Sequence, residues 1–208
     1  MKIFVFDTET TGFMDKKNIN DLSKQPYIVQ FAWILWELDD EFNYKEIERI
    51  NLMVKPPMSI PYNSSQVHHI YDIDVKNAEN FEKNLDKIMN FINEPDMIVW
   101  HNVEYDESML RLELRRLEKE YLYKPKQIIC TMNESIEFCK LPKKNENSAW
   151  FKRPKLWELY KILFQEFFIW AHDAMVDVEA TNKAFVELNK KWVIKLKPSN
   201  SEMLLSLF

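Results

Sequence analysis

Lys2-Ile-Phe-Val-Phe-Asp7-Thr-Glu9-Thr-Thr-Gly12 decides how the rest of this chain is read. Residues 3–6 are β-branched or aromatic and run straight into two carboxylates, the pattern of a buried strand carrying acid at its C-terminal end. Residues two apart in a strand point to the same side, so Asp7 and Glu9 project together and Thr8 points away. Two adjacent carboxylates repel unless something positive stands between them, and a hard divalent cation suits that place. A solvated acidic strand exit is the plain alternative. The chain has one glycine in 208 residues, and that glycine is Gly12. A turn that keeps it is one where backbone freedom is hard to replace.

Working outward, a polar loop over residues 13–26 ends at Pro26. Tyr27-Ile-Val-Gln-Phe-Ala-Trp-Ile-Leu-Trp36 is apolar on both faces with only Gln30 interrupting, as in a central strand. Residues 42–54 alternate and predict an edge strand, and a polar turn with His68 and His69 follows. Phe81, Leu85, Ile88, Met89 and Ile92 have helical spacing and predict a helix near 79–92. A short strand over 96–101 leads to a helix over 102–119, with Asn102 as its N-cap. A strand at 127–130, a helix near 131–139, a helix opened by Pro154 and a last helix over 173–190 complete the pattern. Strands followed by alternating strands and helices indicate an α/β fold with a mixed sheet. Residues 1–190 read as one domain and 191–208 as a basic C-terminal tail.

Composition narrows the function. Hydrophobic residues make up 46% of the chain and aromatics 14%, which is globular. No apolar run reaches the roughly 20 residues that span a bilayer, so no membrane role is expected. The N-terminus shows no signal-peptide pattern. Cys130 and Cys139 lack metal-site spacing, which fits a reducing, cytoplasmic setting. A net charge of −5 gives no whole-surface attraction to nucleic acid, so such binding needs local cations or bridging metal ions. With one glycine there is neither a P-loop nor a dinucleotide-binding turn. From Lys140 to Lys155 the chain is basic, with Lys140, Lys143, Lys144, Lys152, Arg153 and Lys155 against the single acid Glu146. This segment is expected to guide a nucleic-acid backbone, with Trp150 and Phe151 for stacking, or else to be a solvated charge run.

Two more acids face inward. Asp106 lies four residues before Leu110 on the stripe continued by Leu114 and Leu117, although alone it also fits an ordinary helix-start acid. Asp177 is in register with Thr181, Ala184 and Leu188, preceded by His172 and by Asp173 as N-cap. Asp7, Glu9, Asp106 and Asp177 form an all-oxygen set suited to Mg²⁺ or Mn²⁺. Two such ions stabilise attacking and leaving oxygens in phosphodiester hydrolysis, and His172 could take the proton of the water.

These residues resemble the DEDDh 3′→5′ exonucleases, the group that includes the proofreading subunit of bacterial replicative DNA polymerase and stand-alone bacterial relatives. Asp7-Thr-Glu9-Thr-Thr-Gly12 is similar to the first motif, His101-Asn102-Val-Glu-Tyr-Asp106 to the second and His172-Asp-Ala-Met-Val-Asp177 to the third. The resemblance implies an RNase H-like fold, a mixed five-stranded central sheet flanked by helices, and two ions per site. Asp7, Glu9 and Asp177 would hold one ion, Asp7 and Asp106 the other, with His172 the general base. Thr8 and Thr10 would contact the terminal nucleotide, Phe13 would pack on its base, and His101 and Asn102 would shape the pocket. The turn before His68-His69-Ile lacks the glycine many relatives carry there.

The expected activity is 3′-end removal from DNA, single-stranded or 3′-ended, in proofreading or end trimming during replication. An exoribonuclease with the same chemistry and a non-catalytic nucleic-acid-binding module are the alternatives. Leu204-Leu-Ser-Leu-Phe208 resembles the peptide by which bacterial replication proteins dock on the sliding clamp, with Leu204 where glutamine is usual. Leu205, Leu207 and Phe208 would be its apolar anchors, making a clamp or a DNA polymerase a partner. The alternative is a tail folded back on its own domain.

Overall fold

The computed structural model describes residues 1–39, 41, 43–143, 150–166 and 172–196. Five strands form the sheet: β1 (Lys2–Thr10), β2 (Ile28–Leu38), β3 (Tyr44–Met53), β4 (Met97–Trp100) and β5 (Ile128–Cys130). The helices are α1 (Tyr62–His68), α2 (Asp72–Val75), α3 (Phe81–Asn93), α4 (Val103–Arg116), α5 (Thr131–Glu134), α6 (Ile136–Cys139), α7 (Leu156–Phe164) and α8 (Ala174–Lys190). None of them is long and apolar enough to cross a membrane.

The strand order is β3-β2-β1-β4-β5, antiparallel from β3 to β1 and parallel from β1 through β4 to β5. This is the mixed five-stranded sheet that the resemblance implies. Alternation along β1 sends Phe4 and Phe6 to one face, where they join Phe31, Trp33 and Trp100 under α3 and α4. Phe6 stacks on Phe31 at 4.8 Å and meets the edge of Trp100 at 4.6 Å. Ile3 and Val5 go to the other face, beneath Leu159 of α7 and Val178, Ala184, Phe185 and Leu188 of α8. Small residues such as Ala184 let α8 lie close on the sheet.

Three local expectations are revised. The polar turn around His68 is two short helices, α1 and α2. The helix near 131–139 breaks at Ser135, whose hydroxyl donates to the carbonyl of Thr131 at 2.6 Å and so competes with the helical ladder. Asn102 does precede α4, but in the left-handed conformation (φ 68°) and without a side-chain cap hydrogen bond. Past Lys190, Ile194 is buried against the second core and Asn189 donates to its carbonyl at 3.0 Å. Residues 204–208 and Lys144 to Ala149 lie outside the described residues.

Candidate active site

The C-terminal end of β1 carries the site. The pairing of β1 with β2 shifts register between Glu9 and Thr10, so the strand bends as it delivers its acids. Asp7 and Glu9 continue the Ile3–Val5 side, facing α8. Thr8 points the opposite way, as its alternation predicts, and both its backbone N–H (3.2 Å) and its hydroxyl (2.8 Å) donate to Asp106 Oδ1. The first turn of α4 is thereby drawn to the strand end, and Asp106 is only 2% exposed. Thr8, expected to contact the terminal nucleotide, gives its hydroxyl hydrogen to the Asp106 carboxylate.

Asp177 arrives on α8, whose start is fixed twice. Asp173 caps it, accepting from the N–H groups of Met175 (2.9 Å) and Val176 (3.3 Å). Gln30 is the second anchor. Its carbonyl accepts the N–H of Ala174 at 3.1 Å while its amide donates to Asn51 at 2.9 Å. Gln30 pairs with Glu9 across the sheet, so the one buried polar residue of β2 sets the helix that carries Asp177 beside the strand that carries Glu9. Sequence reasoning noticed the interruption without assigning it a role.

His172 sits just before α8 in the left-handed region (φ 74°), and its backbone N–H donates to Asp177 Oδ2 at 3.1 Å. One ligand-type atom from each of Glu9, His172 and Asp177 lies within 4.8 Å of the others. Burial first, then the charge of Lys155, holds the His172 imidazole below its ordinary pKa. The ring is therefore neutral and able to accept a proton at neutral pH.

The carboxylates shift the other way. Burial, reinforced by Asp106, Asp177 and Glu9, raises Asp7 well above the usual carboxylate range. Burial and the charges of Asp177 and Asp106 push Glu9 up to about 8. Asp106 and Asp177 rise to about 7, burial being the leading cause for each. Asp177 Oδ1 is buried and has no hydrogen-bond partner among the described residues. Mutually repelling oxygens, one of them without a donor, fit divalent cations, since a hard ion offers the positive charge the protein withholds.

The loop after β1 is tightly held. Gly12 has φ 157°, a conformation that L side chains rarely adopt. Its carbonyl accepts from Thr10 Oγ1 (2.9 Å) and from the Tyr105 hydroxyl (2.8 Å), and Ser64 Oγ donates to the Thr11 carbonyl at 2.8 Å. Phe13 is 91% exposed and meets Tyr105 edge-on at 6.4 Å. Tyr105 lies within the second motif, but its hydroxyl role depends on contacts no spacing reveals. His101 is buried with both ring nitrogens engaged by protein, and Asn102 is exposed at the start of α4.

The exonuclease family RNase_T matches residues 4–185. No curated protein sequence matches the chain. Among solved structures, the nuclease domain of 3′hExo, described as a DEDDh family member bound to rAMP, is 14% identical with a TM-score of 0.69, over 91% of this chain and 92% of its own. Zinc-bound E. coli exonuclease I with single-stranded DNA is 20% identical, TM-score 0.69, over 91% of this chain. This chain spans only 41% of that one. Exonuclease X with 5′ overhanging duplex DNA is 17% identical, TM-score 0.56, over 91% of this chain and 92% of its own. At these identities the likeness is one of fold, and the fold is the RNase H-like one.

Proposed function

The chain belongs to the RNase_T exonuclease family, and on that footing we propose that it removes mononucleotides from the 3′ end of a DNA strand with the help of two divalent ions, Mg²⁺ or Mn²⁺. The observation that carries this reading is the convergence of Asp7, Glu9, Asp106 and Asp177, with the His172 ring beside Glu9 and Asp177, at the end of β1. Asp7, Glu9 and Asp177 would hold one ion, and Asp7 with Asp106 the other. Bound there, the ions would neutralise charge on the phosphodiester and polarise the attacking water. His172, neutral at working pH, takes the water's proton. Thr8 keeps Asp106 aimed at the site. Thr10, Phe13 and Asn102 border the terminal nucleotide, Phe13 offering an exposed ring to its base, while His101 supports the pocket wall from within.

The test uses single-stranded DNA and RNA of one sequence, labelled at the 5′ end. Shortening from the 3′ end, lost with chelator and restored by Mg²⁺ or Mn²⁺, is expected, with DNA the faster substrate. Asp7→Ala should abolish it, and a variant keeping a tenth or more of the rate overturns the two-ion reading. Faster cleavage of RNA would select an exoribonuclease instead, a reading supported by the rAMP-bound relative. A place in replication rests on residues 204–208 alone. A peptide of residues 199–208 should bind a bacterial sliding clamp and lose binding when Leu207 and Phe208 become alanine.

A further inference from the structure

Residues 150–157 lead past the start of α4 and into α7, and three side chains fix their path. The buried ring of His101 at the end of β4 lies 3.1 Å from the Pro154 carbonyl and 3.0 Å from Thr131 Oγ1. Burial lowers its pKa to about 4, so a neutral ring donates from Nε2 to that carbonyl. Arg153 pairs with Glu104 in the first turn of α4 at 2.9 Å, and Lys152 pairs with Glu158 in the first turn of α7. Two of the cations expected to meet nucleic acid are therefore engaged with protein carboxylates. Lys155 differs: it is exposed and forms no ion pair among the described residues. It follows directly on the anchored Pro154, and its charge is felt at His172.

We propose that Lys155 is a backbone contact for the substrate, its ammonium taking a phosphate on the 5′ side of the bond to be cleaved, with the His101–Pro154 hydrogen bond holding the lysine at the mouth of the site. The inference rests on the exonuclease reading above. With the 3′-terminal nucleotide bound at the carboxylates, the strand that runs out of the site is its 5′ continuation. An ammonium on a flexible stem suits a phosphate whose position varies with each cycle. In a chain of net charge −5, an unpaired cation beside the carboxylates gives a phosphate a local attraction that the surface as a whole does not supply.

The test compares wild type, Lys155→Gln and Lys155→Arg on two substrates with Mn²⁺. One is a single-stranded oligonucleotide; the other is the p-nitrophenyl ester of thymidine 5′-monophosphate, in which p-nitrophenol replaces the 5′ strand. In Lys155→Gln, kcat/KM on the oligonucleotide should fall about tenfold more than on the ester. The slope of log kcat/KM against log salt should become shallower by about 0.7, one phosphate's share for a single strand. Lys155→Arg should restore most of both. Equal losses on the two substrates, or an unchanged salt slope, overturn the proposal. Wild-type protein that hydrolyses neither substrate would instead overturn the exonuclease reading beneath it.

Discussion

Replacing His172 by alanine separates a base from a ligand. Its ring lies among ligand-type atoms of Glu9 and Asp177, so proximity alone permits either role. As the base, its loss should lower kcat by roughly 10²–10⁴-fold, while ion affinity measured by calorimetry stays near that of wild type. Parallel losses of turnover and ion affinity would make it a ligand. Gln30 poses a different question, because it touches no reacting group. Gln30→Leu leaves the Ala174 N–H without its acceptor inside the protein, and should cost roughly 1–3 kcal/mol in urea unfolding. It should also reduce activity, since α8 and Asp177 lose their tie to β2. Full stability in that variant would show that Asp173 alone fixes the helix start. Gln30 was visible in the sequence as a polar residue in an apolar run. Its role was not, because its partner lies 144 residues away.

The elements divide by length in how openly the sequence announced them. Helices α3, α4, α7 and α8 have enough turns to show a period, β1 and β3 alternate, and β2, β4 and β5 stand out as apolar runs, so Asp7, Glu9, Asp106 and Asp177 could be placed from the elements that carry them. Helices α1 and α2 have seven and four residues, too few for a period to emerge. The position of α1 against the Gly12 loop depends on Ser64 and Thr11, a contact between distant segments. The scarcity of glycine reappears at helix ends. His69, Glu118, Lys140, Gln165 and Trp192 are all left-handed, at or just past the C-termini of α1, α4, α6, α7 and α8. Glycine usually occupies such positions because side chains there are strained. Glu118→Gly, Gln165→Gly and Trp192→Gly should therefore each stabilise by roughly 0.5–1 kcal/mol, after the added freedom of the unfolded chain is subtracted. The triple variant should raise Tm by about 4–8 °C. A lower Tm would mean that contacts of the replaced side chains outweigh backbone strain.

For the whole molecule, the buried acids tie stability to pH and to ions. Asp7 lies well above its ordinary range, Glu9 near 8, and Asp106 and Asp177 near 7. In the unfolded chain the same groups release their protons at about pH 4. The folded, ion-free protein therefore binds more protons than the unfolded chain between these limits, and its stability falls as pH rises there. The contribution is fully present below about pH 4 and is lost as pH passes through 7 to 8. Chelated protein should accordingly melt at a lower temperature at pH 8 than at pH 5.5. Mn²⁺ should raise Tm more at pH 8, where it does not compete with protons for the carboxylates. Asp177→Asn keeps the shape of the side chain and an acceptor for the His172 N–H while deleting one titrating charge. Its ion-free Tm should depend less steeply on pH than that of wild type, and its gain with Mn²⁺ should shrink. Other groups titrate in the same window, so the difference between the two proteins is the measurement that counts. Parallel wild-type and Asp177→Asn curves, with equal gains from Mn²⁺, would mean that Asp177 neither shares the carboxylates' proton nor holds an ion.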